Sequence, residues 1–234
     1  MRPTSLLATC LIALGIGGAA IAEDGPVILE LYTSQGCASC PPADAMLRDL
    51  AGREDVIALA LHVDYWDYIG WADSFADPAF SNRQKSYAAV AGERTVYTPQ
   101  IVIGGRDHVV GARPGEVSAL LAAHATVDSG VDLELERDGA NHVRLSARTR
   151  AAFDRPVVVQ LVRYDPYEDV AIRRGENAGH TFRYMNIVTD WQRVGEWDGR
   201  ASLELRLRAP GPQPVVVILQ EQGPGVVLAA GRLR

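Results

Sequence analysis

The chain has 234 residues, 47% of them hydrophobic and 22% charged, and a formal net charge of -6. That is ordinary for a soluble globule, long enough to bury a real core as one large domain or two small ones. The pI of about 5.4, with no basic block to neutralise phosphates, argues against a nucleic-acid partner.

In chain order, Arg2 precedes an apolar run from Leu6 to Ile21, which ends in Ala20-Ile21-Ala22 before the polar Glu23-Asp24-Gly25. This pattern predicts a signal peptide over 1–22, cut after Ala22, with a periplasmic or secreted product and no stable membrane insertion after cleavage. Cys10 lies inside the leader, so the mature chain keeps two cysteines, Cys37 and Cys40. An even number in an oxidising compartment points to pairing, and a two-residue spacing makes the pair a redox candidate.

The run Val27 to Tyr32 reads as a buried strand, and Pro41, Pro42 and the helically spaced Ala43, Met46, Leu47 and Leu50 predict a helix ending near Gly52. A second buried strand covers Val56 to Val63. A polar, aromatic loop leads to a helix near Pro78 to Ala91, then a strand from Val96 to Ile103, a turn at Gly104-Gly105-Arg106-Asp107, a partner strand from His108 to Gly111 and a helix from Pro114 to Ala125. This is the thioredoxin order, with right-handed crossovers and active groups beyond the carboxyl ends of the strands. From Val131 the period changes to two, and Pro156 to Tyr164, Ala201 to Arg208, Val215 to Gln220 and Val226 to Leu233 read as further strands. The fold class so predicted is an α/β thioredoxin-like domain over 23–127 followed by a small antiparallel β-sandwich-like domain over 128–234.

Cys37-Ala38-Ser39-Cys40 sets two sulfurs at a helix start, where the dipole favours a thiolate. Cys37, outermost and expected to be the more exposed, is the nucleophile candidate, and Cys40 would resolve the mixed disulfide. The alternatives for the pair are an inert disulfide, or half of a zinc site that would have to find its other ligands without a second CxxC. Tyr97-Thr98-Pro99-Gln100 resembles the thioredoxin and glutaredoxin superfamily. That resemblance implies a cis Pro99 facing the cysteines and a Thr98 backbone that pairs with a bound peptide or thiol. It also offers Glu30 the place of the buried acid that relays protons; a salt-bridged or outward carboxylate is the alternative. The stretches Glu30 to Asp44, His62 to Trp71 and Tyr97 to Gln100 resemble a family of secreted bacterial proteins known as DUF1223, which implies the same domain but no substrate. Against thioredoxins, Gly36 replaces the aromatic residue before the first cysteine, and the loop after the second strand is long and aromatic.

His62, Asp64, Tyr65, Trp66, Asp67, Tyr68 and Trp71 are candidates to line a substrate groove, with aromatic loop packing as the bland alternative. Asn177 and His180 could approach the cysteines from the second half. The leading expectation is a thiol-disulfide oxidoreductase acting on a protein or small-molecule thiol or disulfide, with Cys37, Cys40, Thr98, Pro99 and Glu30 as its site and with no cofactor and no metal. The alternatives are a carrier holding copper on Cys37, Cys40 and His62, and an interaction protein whose disulfide only braces a loop.

Overall fold

The computed structural model describes residues 25–234; the predicted leader lies outside them. The first half runs β1 (Val27–Thr33), α1 (Pro41–Leu50), β2 (Val56–His62), a short 3-10 turn (Asp67–Ile69), α2 (Pro78–Val90), β3 (Gln100–Ile103), β4 (Asp107–Val110) and α3 (Pro114–His124). Strands follow: β5 (Val131–Asp138), β6 (His142–Thr149), β7 (Val157–Ala171), β8 (Thr181–Trp197), β9 (Leu203–Arg208), β10 (Val215–Gln220) and β11 (Val227–Leu233). β3 starts only at Gln100, because Pro99 has no amide to give a ladder; the Thr98-Pro99 peptide bond is cis.

The predicted fold class is overturned. The protein is mostly β, with eight strands in one mixed sheet ordered β11-β10-β7-β8-β2-β1-β3-β4 and three more in a second sheet, β5-β6-β9. The expected α/β thioredoxin-like domain followed by a separate small sandwich does not form, because β8 lies between the two sets of strands and merges them. Its partner on one side is β7, antiparallel over almost its whole length. On the other it meets β2 in parallel through Ala60 and Ile187. The Nδ2 of Asn186 reinforces that seam by donating to the carbonyl of Ala58 at 2.8 Å.

β1 and β2 are buried along their entire length, so they carry near-continuous apolar runs and not alternation. Their side chains still divide between two faces. Leu29, Leu31, Ala58 and Ala60 pack with Leu47 of α1 and Val117 and Leu121 of α3. Ile28, Tyr32, Ile57, Leu59 and Leu61 pack with Phe80 and Tyr87 of α2. A third core lies between the second sheet and β7, β10 and β11, built on Val143, Leu145, Val159, Leu161, Val217 and Leu219. Each Leu, Ile or Val withdrawn from water in these layers contributes about 1.5 to 3 kcal/mol, which makes the three cores the main support of the site.

Candidate functional site

β1 delivers the chain to the carboxyl end of the sheet, where Ser34 turns it: its Oγ accepts from Gly36 N at 3.1 Å and its carbonyl from Cys37 N at 3.1 Å. Cys37 and Cys40 form a disulfide with Cα atoms 5.4 Å apart. Cys40 is the N-cap of α1, and Pro41 and Pro42 occupy the first helical turn without amides to lose. Both cysteines are buried, Cys37 at 2% and Cys40 at 0% exposure, while Ala38 and Ser39 between them are exposed. The expected contrast between an exposed and a buried sulfur is therefore nearly absent.

Thr98 and Pro99 are brought to the same place. Ser39 Oγ lies 3.4 Å from the Cys37 sulfur and 3.4 Å from the carbonyl of Thr98, to which it donates. Trp66 holds Thr98 from the other side, its indole N–H donating to the hydroxyl at 2.7 Å. Gly111 packs so closely that a Cβ there would come within 2.7 Å of Pro99 and 3.1 Å of Ala43. β4, the cis proline and the start of α1 are thus locked together.

Glu30 is not brought to the cysteines. Alternation on β1 turns it to the α2 face, away from α1. There Arg83 donates to its two oxygens at 2.7 Å each, and the hydroxyls of Tyr32 and Tyr87 add bonds of 2.9 and 2.7 Å. Arg83 also stacks 3.9 Å from the Trp191 ring centre. Of the two readings of Glu30, the geometry is that of the salt-bridged carboxylate.

Behind the cysteine loop lies a buried polar cluster. Asp73 accepts from Gln35 N at 2.7 Å and Phe75 N at 2.9 Å, and bonds His62 Nδ1 at 2.7 Å. His62 Nε2 is buried without a hydrogen-bond partner. Asp44 of α1 accepts from the Thr33 hydroxyl at 2.9 Å. Burial pushes the Asp44 carboxyl up to about 7, with the charge of Asp73 adding to the rise and His62 and the Thr33 bond opposing it. Sequence reasoning reached His62 but missed Asp44 and Asp73; the spacing of Asp44, one turn after Cys40 on the helix, was the available signal.

The aromatic loop is held by polar bonds. Trp71 donates to Gln35 Oε1 at 2.8 Å, and Tyr65 to Gln84 at 3.0 Å; Tyr68 is exposed. Asp64 bonds Ser81 of α2, and Asp67 accepts from Asp73 N. From the second half Asn177 does approach the cysteines, donating to the carbonyls of Gln35 at 2.9 Å and Cys37 at 3.0 Å. His180 instead stacks on Phe182. Among the described residues, no group of three or more His, Cys, Asp and Glu side chains could hold a metal ion, and His62 spends one ring nitrogen on Asp73. A cleft of about 980 Å³ lies elsewhere, lined by Val27, His124, Leu133 and Leu228 among others, and includes neither cysteine.

The sequence pattern of a family described as protein of unknown function (DUF1223) matches residues 28–220. No curated protein matches the chain. The crystal structure of a protein from Agrobacterium tumefaciens is similar with a TM-score of 0.77 and 33% identity, over 90% of this chain and 95% of that one. HBP35 of Porphyromonas gingivalis shares the fold with a TM-score of 0.64 at 14% identity, over 90% of this chain and 75% of that one.

Proposed function

The chain belongs to the DUF1223 family, and from the cysteine pair at the head of α1 we propose that it is an exported thiol-disulfide exchange protein. The observation that carries this reading is the Cys37–Cys40 disulfide, closed across two exposed residues at a helix N-terminus and bordered by Thr98 and Pro99. A disulfide that closes so short a loop removes less entropy from the unfolded chain than a long-range one does, so bracing is a weak reason for its presence. A helix N-terminus favours the thiolate that reduction would produce.

In the exchange, Cys37 attacks a protein or small-molecule disulfide, and Cys40 releases the product by attacking Cys37. The oxidised pair accepts electrons from a substrate dithiol by the reverse route. Pro41 and Pro42 bring no amides to the thiolate, and the Ser39 hydroxyl lies 3.4 Å from the Cys37 sulfur. The stabilisation of a Cys37 anion is therefore modest, consistent with a potential between the reducing and oxidising extremes. The apolar leader from Leu6 to Ile21 supports export to the periplasm or beyond.

A structural disulfide is the second reading, favoured by the burial of both cysteines and by the clamp of Asn177 on the cysteine loop. Equilibrating the purified protein against glutathione and dithiothreitol separates the two. Reversible reduction above about -300 mV, with partners trapped by Cys40→Ser, supports exchange. A pair that stays oxidised well below that and traps nothing overturns it.

A further inference from the structure

The two sheets do not close on one another at their free edges. β5 and β11 are both edge strands, and no ladder joins them. They meet at Gly231, where an added Cβ would come within 2.9 Å of the Leu135 side chain. Away from that contact the cleft of about 980 Å³ separates them, a size that suits a small-molecule ligand.

The walls of the cleft are aliphatic. Val131, Leu133 and Leu135 line it from β5, and Leu228 lines it from β11. All four pack on the third core yet remain half-buried, because the cleft opens that core on one side. A ligand lying along them would gain the free energy of withdrawing this surface from water. Among the described residues that line the cleft there is no aromatic ring. It lacks the stacking platform that a nucleobase would use and suits a flexible alkyl chain instead.

The turn after β3 and the end of α3 add polar groups to this lining. His124 bonds Asp107 through Nε2 at 2.6 Å, and its ring fits against Gly104, where a Cβ would come within 2.3 Å of Nδ1. Arg106 is exposed beside them. It gives only its Nε to Asp107, at 3.3 Å, and its two terminal amino groups donate to nothing among the described residues. The other arginines and the carboxylates of the lining are occupied or turned aside. Arg232 donates to the carbonyls of Val56 and Arg53, and Asp128 bonds Arg150. Alternation sends Asp132 and Glu134 to the outer face of β5, where Arg148 stands opposite Asp132.

We propose that the cleft binds an unbranched alkyl chain ending in a carboxylate. The chain lies between β5 and β11, and the carboxylate takes the terminal amino groups of Arg106. A guanidinium with both amino groups free matches a carboxylate in a bidentate pair. The site includes neither cysteine and does not depend on the exchange reading.

The test is calorimetric titration of the purified protein with dodecanoate, kept below its critical micelle concentration. Binding should saturate at one dodecanoate per chain. Decanoate, two methylenes shorter, should bind about fifteenfold more weakly. Arg106→Gln alters an exposed side chain and should weaken dodecanoate roughly tenfold while leaving uncharged dodecanol as it was. Leu133→Glu sets a carboxylate in the wall and should abolish binding of both, with a circular dichroism melt showing that the fold is kept; should it not fold, Arg106→Gln carries the test alone. Absence of saturable dodecanoate binding, equal affinity for dodecylamine, or full affinity in Arg106→Gln overturns the proposal. Sedimentation with phosphatidylglycerol vesicles by a protein that does not bind dodecanoate also overturns it, and gives the surface to a membrane.

Discussion

The side-chain amide of Asn177 reaches back 140 residues to the carbonyl of Cys37, at 3.0 Å. Through this bond and its companion to Gln35, the connection between β7 and β8 fixes the backbone on which the disulfide rides. Asn177→Ala leaves two carbonyls without their donor, a loss of about 1 to 3 kcal/mol. Urea unfolding should show that loss, and thiol trapping should show faster reduction of Cys37–Cys40 by dithiothreitol. An unchanged reduction rate would mean that the clamp does not govern access.

Glu30→Gln tests the network on the other face. It leaves the Arg83 guanidinium buried without its counter-charge, and such breaks cost about 3 to 5 kcal/mol. The urea midpoint should fall accordingly, while the equilibrium between Cys37–Cys40 and the dithiol stays where it was. A shifted redox equilibrium would show that Glu30 communicates with the cysteines despite facing α2.

Asp44 gives stability a definite pH dependence. Its folded carboxyl is raised from 3.8 to about 7, so its contribution is fully present below the unfolded value and is lost as pH rises through the folded one. Thermal unfolding between pH 4 and pH 8 should show the wild type losing stability relative to Asp44→Asn. The difference is at most about 4 kcal/mol at pH 8, at 1.36 kcal/mol per unit. Parallel curves for the two proteins would refute it.

Gly111→Ala places a methyl group against Pro99 and Ala43 with nowhere to go. The strain of such overpacking is about 1 to 3 kcal/mol. Circular dichroism melts should register it, and exchange activity should fall with it because Thr98-Pro99 and the start of α1 are displaced relative to each other. Wild-type stability in this variant would mean that β4 yields at little cost.

The elements of the first half were legible because their periods are clean and their ends are marked: Pro41-Pro42, Pro78 and Pro114 each open a helix. The union of the two halves was not. β8 carries Arg183, Asp190, Arg193 and Glu196, and Asn186 interrupts it with a φ of 47°. Its register against β7 slips twice, so the alternation that marks a strand changes phase along it. At the site, Cys37, Cys40, Thr98 and Pro99 could be grouped from spacing and resemblance. Asp73 could not, because its place beside His62 depends on how an irregular loop returns under β1. The direction of Glu30 depended on strand register, where a shift of one residue exchanges the two faces of the sheet.

The seam between β2 and β8 also bears on how the chain is made. β2 is Val56-Ile57-Ala58-Leu59-Ala60-Leu61-His62, apolar almost throughout, and its outer neighbour is a strand beginning at Thr181. Until that far segment has emerged and docked, β2 presents an uncharged edge with free backbone donors and acceptors. Such an edge recruits other chains. For this sequence the hazard of aggregation is concentrated in biosynthesis, and the late arrival of β8 is what ends it.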